Sequence, residues 1–155
     1  MSPAPVRIRR ATKSDAPVLA GNNRAMARET EDRELAPGVI EAGVLAALTK
    51  PELGADYWVA EADGRIAGQT MVTREWSDWR NGWFWWIQSV YVAPEFRRKG
   101  VYRALHDHVR TEAEASGDVI GIRLYVERDN RAARATYEAL GMHATDYELY
   151  ETDWS

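Results

Sequence analysis

The segment from Ser89 to Leu105 constrains the fold of this chain more than any other stretch. Residues 89–93 are mostly apolar and predict a strand, which Pro94 ends. A basic loop follows, and Gly100 opens an amphipathic helix. Backbone N–H groups at a helix N-terminus have no partners inside the helix, and the helix dipole favours negative charge there. A strand, a basic loop and a helix in this order predict a site for a phosphate group.

The composition predicts one small domain that spans residues 1–155, because 155 residues with 45% hydrophobic side chains suffice for a single core. The net charge of −4 gives no general attraction to nucleic acid, so the basic loop is a local feature. Cysteine is absent, which excludes disulfides, thiolate nucleophiles and cysteine-ligated metals. Residues 1–10 lack the apolar stretch of a signal peptide, and no run is long enough to span a membrane. We therefore expect a cytoplasmic protein without nucleic-acid or membrane partners.

Hydrophobic periodicity predicts a mixed α/β (α+β) fold. The predicted strands cover residues 6–10, 57–62, 65–75, 83–92, 119–126 and 142–150. The predicted helices cover residues 14–31, 37–48, 101–117 and 130–140. Asp63-Gly64 is a typical two-residue hairpin signal, and Ser14 is the expected N-cap of the first helix. This order predicts a mostly antiparallel sheet with four helices, in which strands 83–92 and 119–126 run parallel through a right-handed crossover.

The first helix has polar side chains on the face that we expect to be buried. Leu19, Asn22, Met26 and Glu29 recur at spacings of three and four residues. Two interpretations remain open for Asn22 and Glu29. They lie either at the solvent-exposed edge of a narrow apolar stripe or along a polar pocket.

Tryptophan is unusually frequent in one short region. Five of the seven tryptophans in the chain fall within eleven positions. They are Trp76, Trp79, Trp83, Trp85 and Trp86. Because side chains alternate along a strand, only some of them can face one pocket. They build part of the core, a contact between subunits, or a wall that attracts a cationic amine through its aromatic faces.

The basic loop resembles the pyrophosphate-binding motif of the GNAT family of N-acetyltransferases. That motif is Gln or Arg, two residues, Gly, one residue, and then Gly or Ala. Here it reads Arg97-Arg98-Lys99-Gly100-Val101-Tyr102, directly after the strand end at residues 90–94. Tyr102 departs from the family pattern, because a small residue usually stands at that position and lets the backbone approach a phosphate.

A second motif is also similar to this family, in which an Asn is followed seven residues later by Tyr and then by Gly and an apolar residue. The matching residues here are Asn130, Tyr137 and Gly141-Met142. The predicted order of elements matches the family over residues 5–150. The resemblance implies a V-shaped splay between the parallel strands 83–92 and 119–126.

The resemblance implies a site for acetyl-CoA, with CoA as the product and no metal. Backbone amides of residues 98–103 would hold the pyrophosphate, and the strand end would pair with the pantetheine arm like an added strand. Asn130 would bond the arm near its sulfur. The expected cofactor-binding residues are Val90, Tyr91, Val92, Arg97, Arg98, Lys99, Gly100, Val101, Tyr102, Arg103, Asn130 and Tyr137.

Acetyl transfer to an amine needs a hydrogen-bond donor for the oxyanion, a general acid and a general base. The backbone N–H of Val90 or Val92 can serve as the donor, and the resemblance implies Tyr137 as the general acid. The base stays open between a carboxylate and a water chain through Gln88 and Ser89. We prefer Glu29, because its stripe points inward. The candidate carboxylates are Glu29, Glu31, Glu75, Asp78 and Glu127.

The resemblance therefore implies an acetyl-CoA-dependent N-acetyltransferase whose acceptor is a primary amine of a small molecule, with a protein N-terminus or lysine as the second choice. Transfer would be direct, because the chain has no cysteine to carry an acyl group. Two further functions remain open, a non-catalytic module that binds or senses acyl-CoA and an assembly protein that uses its Trp-rich strand as an interface. A homodimer is compatible with the resemblance. The expected acceptor-binding residues are Asn22, Glu29, Glu31, Trp79, Trp85, Gln88 and Ser89.

Overall fold

The computed structural model describes residues 5–155. These residues form two compact units, of which the first ends at Leu124 and the second is Tyr125–Ser155. Residues 1–4, the start of the predicted single domain, lie outside the described residues.

A five-stranded sheet forms the centre of the first unit. Its strands are β1 (Arg7–Arg10), β2 (Asp56–Ala62), β3 (Arg65–Ser77), β4 (Gly82–Val92) and β5 (Val119–Leu124). They lie side by side in sequence order. The first three pairings are antiparallel, and β5 runs parallel to β4. The predicted sheet, with its single parallel crossover, is confirmed.

Three helices belong to the first unit and one to the second. They are α1 (Ala16–Glu31), α2 (Val39–Thr49), α3 (Val101–Ala115) and α4 (Arg131–Ala139). The prediction of Ser14 as the N-cap of the first helix is wrong. A 3-10 turn, Lys13–Asp15, precedes α1, and the Asp15 carboxylate accepts the backbone N–H of Thr12 at 2.7 Å. Asp15 also accepts two hydrogen bonds from Arg9 on β1, a partner that the local sequence does not indicate.

The sheet is covered on both faces. Helix α3 packs on one face, where Leu105 and Val109 join a core that includes Trp85 and Ile87. Helices α1 and α2 pack on the other face around Leu19, Val44 and Val59. A Cβ on Gly68 would lie 2.9 Å from the backbone oxygen of Tyr91 and 3.0 Å from a methyl group of Val101. This close packing fixes the N-terminal end of α3 beside the end of β4.

The parallel strands pair over only part of their length. The ladder joins residues 83–87 of β4 with residues 119–124 of β5, whereas β4 continues to Val92. No strand of the described first unit pairs with residues 88–92 at this edge. A bulge opposite Met71 and Val72 adds one residue, Gln88, to β4 at the start of the opening. The opening corresponds to the predicted splay.

The second unit contains less regular structure than the sequence predicts. The strand predicted at 119–126 ends at Leu124, and residues 142–150 form no strand, so that prediction is wrong. The apolar and aromatic residues of this segment favour a strand, but a strand also needs a neighbour for its backbone groups, and the described second unit supplies none. Tyr147 and Leu149 are exposed. Across residues 5–155, no helix combines the length and apolar character needed to cross a membrane.

Candidate active site

The open edge of β4 presents backbone groups that no strand of the first unit uses. The N–H of Ala93 donates to Ala67 on β3 at 2.8 Å. Because backbone groups point to opposite edges in successive residues, Tyr91 also pairs toward β3, whereas Val90 and Val92 point toward the opening. The edge can therefore pair with an extended ligand. It also offers the Val90 N–H as a donor for an oxyanion.

A tight loop connects this edge to helix α3. The turn Pro94–Phe96 buries the Phe96 ring in the core, which fixes the start of the loop. Two residues adopt left-handed backbone conformations, Arg98 with φ 63° and Gly100 with φ 82°. The helix then begins with a hydrogen bond from Ala104 to the carbonyl oxygen of Gly100. The sequence predicts this loop and its glycine correctly.

The residues of the loop fit a pyrophosphate. Arg98, Lys99 and Arg103 are exposed beside the N-terminus of α3, where the helix dipole also favours an anion. A Cβ on Gly100 would meet no described atom within 4 Å beyond its chain neighbours, so a ligand can approach the backbone there. Arg103 is held only loosely, 3.7 Å from the exposed carboxylate of Asp107. Within the described part of the chain, no group of three or more His, Asp or Glu side chains could hold a metal ion.

Arg97, the first residue of the motif, connects the loop to two other elements. Its Nε donates to the carbonyl oxygen of Val92 at 2.9 Å, and its Nη2 donates to Glu29 of α1 at 2.6 Å. The guanidinium carbon also lies 5.6 Å from the centre of the Tyr91 ring. The bond to Glu29 raises the pKa of Arg97, and burial followed by the Glu29 charge raises the pKa of Tyr91. Glu29 is thus held near the end of β4 by an ion pair with Arg97.

The buried face of α1 is rotated from the predicted one. The residues it buries are Leu19, Ala20, Asn23 and Ala27. Asn22 is half-buried and donates to the side-chain oxygen of Gln69 at 2.8 Å. Gln69 donates in turn to the carbonyl oxygen of Leu19, so Asn22 satisfies a buried amide of the core. Glu31 is exposed in the last position of the helix.

The tryptophans alternate between the two faces of the sheet, as the strand pattern predicts. Trp85, an expected acceptor residue, is only 6% exposed and lies in the core beneath α3. Trp79, the other expected acceptor residue, is 89% exposed in the turn between β3 and β4. Phe84 and Trp86 flank Trp85 and therefore point to the opposite face, the one on which α1 and α2 pack.

A polar and aromatic cluster on this opposite face joins Glu75, one of the candidate bases, to Phe84 and Arg123, for which the sequence predicts no role in the site. The Glu75 carboxylate accepts hydrogen bonds from Trp86 at 3.3 Å and from Arg123 at 2.7 Å. The Arg123 guanidinium lies 3.5 Å from the centre of the Phe84 ring. Nearby, the Gln88 amide donates to Thr73 at 2.7 Å. The alternation of side chains along a strand indicates that residues 84 and 86 share a face. The local sequence does not predict the pairing of Glu75 with Arg123, because the two residues are 48 positions apart.

The second unit contains the second motif. The Asn130 side-chain oxygen accepts the N–H of Ala133 at 3.1 Å and caps helix α4. Its amide group retains two N–H donors for another partner. Tyr137 lies two helical turns later, so both side chains project from one side of the helix. Gly141 ends this segment with φ 90°.

The sheet, its splayed parallel strands and the basic loop at a helix N-terminus define a mixed α/β domain suited to an extended ligand that carries phosphate. The model of the acetyltransferase (GNAT) family matches residues 23–142. The chain therefore belongs to the GNAT acetyltransferase family, which confirms the resemblance seen in its two motifs.

Solved structures share this fold over nearly the whole chain. A possible acetyltransferase from Clostridium difficile 630 is 42% identical, with a TM-score of 0.89 over 96% of this chain and 97% of that one. A ribosomal-protein-alanine N-acetyltransferase from Brucella melitensis biovar Abortus 2308 is 20% identical, with a TM-score of 0.78 over 97% and 100%. An aminoglycoside acetyltransferase from an uncultured soil metagenomic sample is 14% identical, with a TM-score of 0.76 over 95% of both chains. The last two similarities concern the fold alone.

Proposed function

We propose that this chain is an acetyl-CoA-dependent N-acetyltransferase that acetylates a primary amine of a small molecule. One observation carries the proposal: the edge of β4 opens beyond Ile87 and leads directly into the basic loop at the start of α3. The extended pantetheine arm of acetyl-CoA can pair with such an edge, while the pyrophosphate of the same cofactor reaches the helix N-terminus. The absence of cysteine favours direct transfer.

Different residues of the chain would bind the cofactor and catalyse acetyl transfer. The cofactor supplies an acetyl group activated as a thioester. Exposed cations and backbone N–H groups of the loop at 97–103 would hold its pyrophosphate. The Val90 N–H faces the opening, where it would stabilise the oxygen that gains negative charge during transfer. Tyr137 would donate a proton to the leaving sulfur, and the Asn130 amide would bond the arm.

The acceptor would lie on the sheet face that carries Phe84 and Trp86. Arg123 already pairs with Glu75 and lies over Phe84, so the carboxylate and this ring face would attract a protonated amine only where the amine takes the place of the guanidinium. Ser89 and Gln88 begin the open part of β4 beside this face. The general base stays a prediction, either Glu29 or a water chain through Gln88 and Ser89. The cytoplasmic location and the homodimer stay predictions as well.

Thermal unfolding with increasing acetyl-CoA tests the binding site. A ligand at about 100 times its Kd stabilises the folded state by about 2.7 kcal/mol, so Tm should rise with concentration. No rise at millimolar acetyl-CoA would contradict the proposal.

Release of the CoA thiol then tests turnover against a panel of small polyamines, aminoglycosides, and peptides with free N-termini or lysines. We expect release with a small amine, and a loss of release in Tyr137→Phe that is much larger than any change in its acetyl-CoA Kd. Stabilisation without turnover for any amine would instead favour the non-catalytic binding module. Turnover with the peptides alone would indicate that the acceptor is a protein N-terminus or lysine.

A further inference from the structure

We propose that Glu29 is a positioning residue, which acts through Arg97 to hold the end of β4 and the following loop in the form that binds pyrophosphate. This inference rests on the proposed function. It gives Glu29 a role different from that of general base. It also makes the last turn of α1 part of the cofactor site without any contact to the cofactor.

The contacts of Arg97 carry the argument. A guanidinium group is a rigid planar fork, and here two of its nitrogens have different partners. Nε returns to the carbonyl oxygen of Val92, five positions earlier, and so closes the loop on itself. Nη2 reaches the carboxylate of Glu29, 68 positions away in α1. Removal of the carboxylate leaves the guanidinium attached to its own loop alone.

The loop needs such external support because its backbone is strained. Arg98 has φ 63°, a conformation that is unfavourable for any residue with a Cβ. Arg98 is also exposed, so core packing does not impose this conformation. The preceding residue, Arg97, is the one tied to α1 and to Val92. The ion pair therefore restrains Arg97, the residue directly before the strained Arg98.

The contacts of Glu29 also fit a positioning role better than proton transfer. One carboxylate oxygen already accepts a short bond, 2.6 Å, from a cation that stays charged at all pH values of interest. A general base acts only on turnover, whereas a positioning residue affects cofactor binding before any acceptor is present. The two roles therefore give different results in a binding experiment without acceptor.

The test is a double-mutant cycle on CoA binding, measured by calorimetry without acceptor. The variants are Glu29→Gln, Arg97→Gln and the double variant. Because the pair is partly exposed, we expect Glu29→Gln to raise the Kd about threefold to fivefold. Arg97→Gln should raise it at least as much, and adding Glu29→Gln to Arg97→Gln should have no further effect.

A matched control is available at the end of α1. Arg28 of this helix and Glu34, three residues beyond it, form an exposed ion pair at 2.7 Å. Among the described residues, no hydrogen bond or ion pair links these two side chains to the loop. Glu34→Gln should leave the Kd unchanged. In the ligand-free protein, amide hydrogen exchange of residues 95–100 should be faster in Glu29→Gln than in Glu34→Gln.

Three results would overturn the inference. An unchanged Kd in Glu29→Gln with a lower kcat would return Glu29 to the role of base. Additive effects in the double variant would show that Glu29 does not act through Arg97. Equal hydrogen exchange in the two single Glu variants would show that the ion pair does not hold the loop. If the natural sequence itself fails to bind CoA, the proposed function fails and this inference with it, whereas normal CoA binding in Glu29→Gln refutes the inference alone.

Discussion

Substitution of Gly100 by alanine separates the ligand-binding role of the loop from its structural role. Helix α3 has a glycine at each end, Gly100 with φ 82° and Gly117 with φ 83°. At neither position would a Cβ meet another described atom within 4 Å. Gly117→Ala is therefore a matched control, with the same backbone strain at the end of the helix that faces away from the loop.

The two substitutions should cost the same stability. A left-handed conformation costs a residue with a Cβ about 1–2 kcal/mol, and no collision adds to it at either site. For a chain of this size, each kcal/mol lowers Tm by about 2–4 °C. We expect both variants to unfold about 2–8 °C below the natural sequence, in thermal scans without ligand.

Only Gly100→Ala should weaken cofactor binding. Its methyl group would occupy the space through which a phosphate approaches the backbone, and a loss of about 1.4 kcal/mol there corresponds to a tenfold higher Kd. Calorimetric titration with CoA measures this difference. If both variants lost affinity equally, or if Gly100→Ala kept its full affinity, the loop would not be the pyrophosphate site.

Two further predictions concern the framework of the site. Arg9 holds the pKa of Asp15 below its ordinary value, so the stabilisation is complete at neutral pH and is lost as pH falls below about 4. Asp15→Asn should therefore lower the free energy of unfolding by about 2 kcal/mol at pH 7 and by less at pH 3, in denaturant titrations; an equal difference at both pH values would contradict the ion pair. Gly68→Ala should cost about 1–3 kcal/mol, because its Cβ would lie 2.9 Å from the backbone oxygen of Tyr91. Gly43→Ala in the open middle of α2 should instead stabilise the protein by about 0.5–1 kcal/mol, and equal Tm shifts would refute this contrast.

Local signals in the sequence predict most of the fold. Asp63 and Gly64 both adopt positive φ in a two-residue hairpin, as their sequence indicates. Gly100 bounds α3 for the same kind of local reason. The final predicted strand fails because its pattern is local but its partner is not. Residues 142–150 contain apolar and aromatic side chains typical of a strand, yet sequence alone does not show whether a neighbouring strand is available.

The candidate site was less accessible to sequence reasoning, because its contacts join distant parts of the chain. Glu29 was placed near the site from helical spacing, but its partner Arg97 stands 68 positions away. The alternation of the tryptophans predicted two faces without deciding which residues α3 would cover. In the structure, α3 covers Trp85, and Trp86 lies on the other face of the sheet.

The two edges of β4 lead to a residue-by-residue expectation for cofactor binding. Beyond Ile87, one edge of β4 is paired with β3, while no strand of the described first unit pairs with the other edge. The amides of Tyr91 and Ala93 point toward β3 and should exchange slowly with or without ligand. Those of Val90 and Val92 point toward the opening and should exchange quickly in the free protein. A pantetheine arm that pairs like an added strand must slow the amide exchange of Val90 and Val92 and leave the exchange rates of Tyr91 and Ala93 unchanged. Protection of all four amides together would mean that the ligand stabilises the whole strand without pairing with it.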